Sequence, residues 1–196
     1  MEKLKVLVGC EYSGRVRQAF RNLGHDAWSC DLLESEDGSP FHIVGDILPL
    51  LSKQWDLAIF HPPCTDLAVS GAAWFKEKIA DGRQQRALDF VRLLMDADIP
   101  RIVVENPVSV ISSKIRKPDQ IVQPWMFGHK EQKATCLWLK GLPKLRETNN
   151  VKAEMMLLPK RERERLHYLP PSPTRWKERS RTYQGIADAM AEQYGG

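Results

Sequence analysis

Residues 5–31 read KVLVGCEYSGRVRQAFRNLGHDAWSCD, and this stretch decides the fold. Lys5 to Gly9 is a short, β-rich apolar run, the pattern of a strand buried on both faces. A polar loop with one glycine, Gly14, follows. Val16, Ala19, Phe20 and Leu23 then recur at helical spacing, and Gly24 is placed to end that helix. Ala27 to Cys30 reads as a second strand, closed by Asp31. A strand, a helix and a second strand in so short a span predict parallel pairing through a right-handed crossover.

The same alternation continues outward. His42 to Val44 is a third short strand, ending at Gly45-Asp46. Trp55 to Phe60 (WDLAIF) is a fourth and runs straight into HPPC. Ala87, Phe90, Val91 and Leu94 mark an amphipathic helix. Ile102 to Val104 makes a fifth strand, followed by ENP. The expected architecture is α/β with a mostly parallel central sheet. Beyond residue 112 the pattern changes. Ile121-Val122 and Ala134 to Leu139 read as an antiparallel strand pair around the loop FGHKEQK. Residues 140–180 are rich in charge and proline, with PKRERER and PPSPTRWKERSR, and look like a peripheral segment with little core of its own. Ile186, Ala189, Met190 and Gln193 predict a last helix docked on the sheet. The organisation expected is a core over 1–139, a small basic segment over 140–180, and a C-terminal helix within 181–196.

Composition excludes several classes. Of 196 residues, 42% are apolar and 28% charged, a globular rather than a disordered balance. No apolar run is long enough to cross a bilayer, so no membrane partner is expected. The start, MEKLKVLVG, lacks the layout of a signal peptide. Cys10, Cys30, Cys64 and Cys136 lie far apart without a CxxC pair, which argues against a metal site and fits a reducing, cytoplasmic setting. Residues 1–100 carry 11 basic and 15 acidic side chains, whereas residues 101–196 carry 18 and 10. The basic half either faces nucleic acid or is a solvated surface of mixed charge.

In open parallel sheets, ligands bind beyond the carboxyl ends of the strands. Cys10 to Arg15, Asp31, Gly45-Asp46, HPPC and ENP all fall there. The first loop is not GxGxxG, so the dinucleotide fingerprint is absent. Asp31 follows the second strand, where an acidic residue accepts both ribose hydroxyls. Asp46 is placed to accept an adenine amino group. Each aspartate alone reads as a turn or cap residue before it reads as a ligand contact. Together they fit an adenosine ligand without a pyrophosphate. Cys64 leaves a strand through two prolines that restrict its backbone, a position that suits a nucleophile. Cys10, Cys30 and Cys136 read as buried, inert thiols. Glu105 ends the neighbouring strand, where a carboxyl group can protonate or hydrogen-bond a heterocycle attacked by the thiolate.

On these residues the chain resembles the cytosine-5 DNA methyltransferases, in particular small phage-type members. Residues 6–32 (VLVGCEYSGRVRQAFRNLGHDAWSCDL) resemble the family's start. Gly45-Asp46-Ile47 resembles its third motif, and DLAIFHPPCTDLAVSG resembles the nucleophile motif GGPPCQxFSxxG. VVENP resembles ENV, FGHKEQKATCLWL resembles the strands carrying QxRxR, and SRTYQGIADAMAEQY resembles the last motif with its closing helix. The order of motifs is the family's, over nearly the whole chain.

The resemblance implies a Rossmann-like, S-adenosylmethionine-dependent methyltransferase fold and methyl transfer to carbon 5 of a cytosine flipped out of duplex DNA. Cys64 takes the nucleophile's place and Glu105 the glutamate's. Asn106 braces the loop, which Pro62 and Pro63 shape. For the cofactor, Glu11, Tyr12, Ser13 and Gly14 line the methionine end, Asp31 the ribose and Asp46 the adenine. Cys10, Leu32, Ile47 and Pro62 complete that set. Ser70-Gly71-Ala72-Ala73 forms a closing loop, with Lys76 and Lys78 beyond it to meet phosphates.

The sequence also departs from the family. Gln132-Lys133-Ala134-Thr135-Cys136 lacks both arginines of QxRxR, leaving Lys133 or Thr135 to substitute at the cytosine carbonyl. Gly185-Ile186 replaces Gly-Asn, and the first motif lacks FxGxG. The roughly 40 residues of 140–180 stand in for a much larger recognition domain. There Lys160, Arg161, Arg163, Arg165, Arg175, Lys177, Arg179 and Arg181 are expected on phosphates, giving short or relaxed sequence specificity. Trp125, Tyr168 and Trp176 either stack on bases or pack. Two other readings stay open. One is methylation of RNA cytosine or a free cytidine nucleotide. The other is a silent nucleic-acid-binding protein on the same fold.

Overall fold

The structure is a computed structural model that describes residues 2–196. Its strands are β1 (Lys5–Gly9), β2 (Asp26–Asp31), β3 (His42–Val44), β4 (Leu57–Phe60), β5 (Ile102–Pro107), β6 (Gln120–Val122) and β7 (Thr135–Lys140). They form one seven-stranded sheet in the order β3-β2-β1-β4-β5-β7-β6. The first five pair in parallel. β7 runs antiparallel to both β5 and β6. The mostly parallel α/β sheet and the antiparallel pair are therefore both present, as the sequence pattern predicts.

Register places the site. Gly9 pairs with Cys30 and with Phe60, and Phe60 pairs with Val104. One residue further on, Cys10, Asp31, His61 and Glu105 stand in a single row along the carboxyl edge. Between β1 and β4 the chain reverses its direction of winding, and this switch point opens a crevice beside that row.

Both sheet faces are covered, which is why the strands read as continuous apolar runs. On one face α1 (Arg15–Asn22) and α8 (Gln184–Tyr194) pack on Val6, Val8, Leu57, Ile59 and Val103 through Val16, Phe20, Ile186 and Met190. On the other face α3 (Arg83–Met95) sets Leu88, Val91 and Leu94 against Leu7, Ala58, Phe60, Ile102 and Val104. Among the described residues no helix is long and apolar enough to cross a membrane.

Some boundaries differ from the sequence reading, for local reasons. β4 begins at Leu57 because Trp55 turns back, its Nε1 donating to the Leu50 carbonyl at 2.9 Å. α1 ends at Asn22, so Leu23 lies on the turn before Gly24, whose φ of 90° suits only glycine. β5 continues through Glu-Asn-Pro, because Glu105, Asn106 and Pro107 find partners in β7 after the pairing to β4 has ended. Four short helices join the pattern: α2 (Phe75–Ala80), α4 (Ile111–Lys114), α5 (Lys152–Met156) and α6 (Lys160–Arg163). α7 (Arg175–Ser180) follows them. The segment 140–180 gives Leu145 and Leu166 to the main core, so it is fastened to the sheet rather than standing apart.

Candidate active site

Cys64 leaves β4 through Pro62 and Pro63 and is exposed, whereas Cys30 and Cys136 are buried and Cys10 is half-buried. The Asn106 side chain fixes this loop from β5, its Nδ2 donating to the Pro62 carbonyl at 2.9 Å. Behind the loop, the 3₁₀ turn Val69–Trp74 contains Ser70 and Gly71 and leads into α2. Lys78 was expected to reach outward. It is buried instead, with its ammonium on the Thr65 carbonyl and 3.4 Å from Asp66. Lys76 alone of that pair faces solvent.

Glu105 and His61 are lateral neighbours on parallel strands, so both side chains emerge on one face. His61 Nδ1 lies 2.6 Å from Glu105 Oε2, and both side chains are nearly enclosed. Burial raises Glu105, but the His61 hydrogen bond and charge outweigh it, helped by Lys133 and the Thr182 hydroxyl, and hold the carboxyl below its ordinary range. Burial likewise lowers His61, and Glu105 overrides it and lifts the imidazole above its usual value, with Glu11 adding to the rise and Lys133 opposing it. The sequence reading missed His61. The residue before Pro-Pro-Cys was in plain view, but only the strand register shows that it meets Glu105.

For Cys64, desolvation pushes the thiol up, Lys133 and Arg179 pull it down, and Glu105 adds to the rise. The net shift is upward. Lys133 is held in place by donating Nζ to the Arg179 carbonyl at 2.8 Å. Thr135 is buried, and its hydroxyl donates to the Lys133 carbonyl at 3.3 Å, so it shapes the turn behind Lys133. Burial drives Cys10 up to about 12 and Cys30 to about 11, and raises Cys136 as well. Burial thus disfavours the thiolate at all three.

Across the crevice, Asp31 Oδ1 accepts the Leu33 amide and Asp46 Oδ1 accepts the Leu48 amide, each at 3.0 Å. Each carboxylate keeps its second oxygen without a protein partner among the described residues. Leu32 beside Asp31 is exposed and Ile47 beside Asp46 is buried. Cys10 takes a left-handed φ of 59° and Gly14 one of 71°, which folds the first loop back over the strand end. Glu11 is buried with its oxygens on the amides of Val16, at 2.7 Å, and Arg17, at 3.3 Å. In this position it caps the start of α1. Ser13 reaches the same carboxylate at 3.4 Å.

A strap of residues 175–183 closes this side. Tyr12 donates its hydroxyl to the Lys177 carbonyl at 2.8 Å and packs against Trp176, with ring centroids 5.6 Å apart. Arg15 donates to the Thr182 carbonyl at 2.9 Å. Arg181 forks onto Glu36 at 2.9 and 2.5 Å, and Arg165 bridges Glu131 and Glu178. Arg175 donates to the His167 carbonyl at 3.1 Å. Arg165 and Arg181 are thus neutralised within the protein by acidic partners distant in sequence, whereas Arg161, Arg163, Arg175 and Lys177 form no ion pair among the described residues. Arg179 forms no ion pair among the described residues, and it is exposed. Trp125 lies under Lys152, and Tyr168 packs edge-on against His167.

No family model matches this sequence, and no curated protein is similar to it. Two solved structures align with it. An Entamoeba histolytica methyltransferase, EhMeth, gives a TM-score of 0.54 at 16% identity, over 76% of this chain and 58% of that one. A prophage-encoded Escherichia coli protein described as a DNA modification methyltransferase gives 0.49 at 18% identity, over 81% of this chain and 56% of the other. The chain spans a little over half the length of both. The likeness to EhMeth establishes the fold, one that a methyltransferase carries.

Proposed function

We propose that this chain transfers a methyl group from S-adenosylmethionine to carbon 5 of cytosine in DNA, with Cys64 as the nucleophile. One observation carries the reading. An exposed thiol on the loop leaving β4 and a nearly enclosed carboxylate on β5 are close enough for the carboxylate's charge to act on the thiol, and Asn106 ties loop and strand together. Carbon 5 of cytosine is too weakly nucleophilic to be methylated unaided. Addition of the Cys64 thiolate to carbon 6 makes it electron-rich, while Glu105 meets ring nitrogen 3 and the exocyclic amine. Both ring faces must be reached, so the base leaves its stack at a cost of a few kcal/mol. Lys133 and Arg179 favour the thiolate and offer positive charge to the flipped nucleotide.

The residues on the other side of the switch point fit the methyl donor. Asp31 and Asp46 each keep an acceptor oxygen for ribose and adenine, and Leu32 and Ile47 flank them. The backbone from Cys10 to Gly14 folds over the methionine end, where Pro62 and Pro63 border it. When bound, the donor supplies an electrophilic methyl group. Residues 140–180 take the place of a recognition domain, with sequence preference expected to be short. Unpaired cations such as Arg179 and Lys76 contact phosphates.

DNA containing 5-fluorocytosine tests the mechanism. With the methyl donor present it should trap a covalent adduct on the parent protein and none on Cys64→Ala. Bisulfite sequencing of host DNA after expression should show methylated cytosine in the parent alone. Labelled methyl appearing only in RNA or only in dCMP would overturn the DNA assignment, and no adduct on any acceptor would overturn the mechanism.

A further inference from the structure

We propose that His61 is a positioning residue for Glu105 and carries the proton that ring nitrogen 3 takes when Cys64 adds to the base. This rests on the cytosine reading above and adds to it a group that the family motif does not contain, since the motif has glycine before Pro-Pro-Cys. Three observations point the same way. His61 Nδ1 and Glu105 Oε2 are 2.6 Å apart, with the two side chains only 10% and 12% exposed. Strand register holds them there, because Phe60 pairs with Val104 and the next residue on each strand faces the same side. The other ring nitrogen, Nε2, is buried without a hydrogen-bond partner, so no protein group competes for the imidazole's proton on that side.

The chemistry needs such a group. When the thiolate forms its bond to carbon 6, the C5=C6 pair shifts to C5=C4 and the C4=N3 pair moves onto ring nitrogen 3, which must take a proton. An ionised Glu105 alone has none to give. The pair holds one: the N–H bond at Nδ1 breaks, the carboxylate takes the proton, and ring nitrogen 3 receives it from the carboxyl group. His61 ends neutral, and no outside acid is required. The charged ion pair and its neutral tautomer contain the same number of protons, so the pair works while it keeps that proton and stops when it is lost. The groups facing His61 are Glu105 on β5, Glu11 beyond β1 and Lys133 on the β6–β7 loop. Those facing Glu105 are His61, Lys133 and Thr182, with the Cys64 and Cys136 thiols nearby. The carboxylates raise the imidazole and Lys133 lowers it, for a net rise. The proton is therefore held to higher pH than on a free histidine.

The test is the pH dependence of labelled methyl transfer to cytosine DNA by the parent protein and by His61→Gln, whose side-chain amide can still donate to Glu105. His61→Gln should move the alkaline limb toward acid, because the proton must then sit on Glu105 itself. A displacement of ~1 pH unit is about a tenfold rate difference on the falling side. A merely structural histidine would lower the rate equally at all pH values, and coincident limbs would overturn the inference. A second measurement needs no variant: the imidazole carbons of His61 in the parent protein, followed by NMR. They should titrate above the range of a free histidine, and a titration at or below that range would overturn the inference. A parent protein that methylates no cytosine overturns the function reading instead, and that outcome is distinct from both.

Discussion

Asn106→Asp exchanges an amide for an acid of the same shape in a closed pocket. Asn106 is 1% exposed, and its Nδ2 donates to the Pro62 carbonyl at 2.9 Å. An ionised aspartate would set a second acceptor against that carbonyl without solvent to relieve it, so the folded protein takes up a proton and the acid donates where the amide did. An ordinary aspartate titrates at ~3.9, so keeping it neutral at pH 7 costs about 4 kcal/mol, at ~1.36 kcal/mol per unit. The folded-state value lies above the unfolded one. The penalty is therefore absent below about pH 4 and grows as pH rises toward the folded value, reaching ~1.5 kcal/mol at pH 5. For a chain of this size each kcal/mol moves the melting temperature by ~2–4 °C. The variant should melt about 8–16 °C below the parent at pH 7 and about 3–6 °C below it at pH 5. Paired thermal melts followed by circular dichroism give both numbers. Asn106→Ala is the control. It strands the Pro62 carbonyl, costs about 1–3 kcal/mol and carries no pH dependence of its own. An aspartate deficit that is equal at the two pH values refutes the enclosed Asn106–Pro62 contact and the bracing of the Cys64 loop that depends on it.

Lys133→Ala should push the Cys64 thiol further up, because its charge is the largest influence pulling that thiol down. Thiolate content rises with pH, so the iodoacetamide alkylation curve of native protein should move to higher pH and the rate at pH 7 fall several-fold. Coincident curves would remove Lys133 from the site. Lys78→Met frees the Thr65 carbonyl and Asp66, so chymotrypsin should cut at the exposed Trp74 markedly faster, and an unchanged cleavage rate would show that the loop is not held from α2. Gly185→Ala places a methyl group against the Phe127 carbonyl at the start of α8. It should cost about 1–3 kcal/mol in a denaturant melt, and a variant as stable as its parent would contradict the packing of that helix on the sheet.

The sheet was legible because its strands announce themselves. Val6 to Gly9, Leu57 to Phe60 and Ile102 to Val104 are apolar on consecutive residues, as a short strand covered on both faces requires, and each stops at a polar cluster. The carboxyl-end location of the candidate site follows from that alone. What was not legible depends on distance through space. His61 meets Glu105 because β4 and β5 are neighbours in register, although 44 residues separate them. Glu36 neutralises Arg181 across 145 residues. No periodicity reports such pairings, so Arg181 at the end of RWKERSR reads as a free cation until Glu36 is located. The Glu11 contacts with the amides of α1 were hidden for a related reason. A carboxylate just ahead of a helix serves either a ligand or the helix amides, and only the turn at Cys10 decides which.

The packing of α8 on α1 bears on how the chain acquires its fold during synthesis. α1 ends at Asn22 and α8 begins at Gln184. The face of β1 and β4 that α8 covers stays open while the intervening sheet, hairpin and strap are made, because nothing translated earlier carries Ile186, Met190 and Tyr194. Contacts between such distant segments form late and slowly. Residues 5–107 hold the candidate nucleophile and every carboxylate of the crevice, yet they emerge from the ribosome as a half-covered sheet. The protein is thus expected to become competent in one late step, when its last helix docks, rather than gradually as its site residues appear.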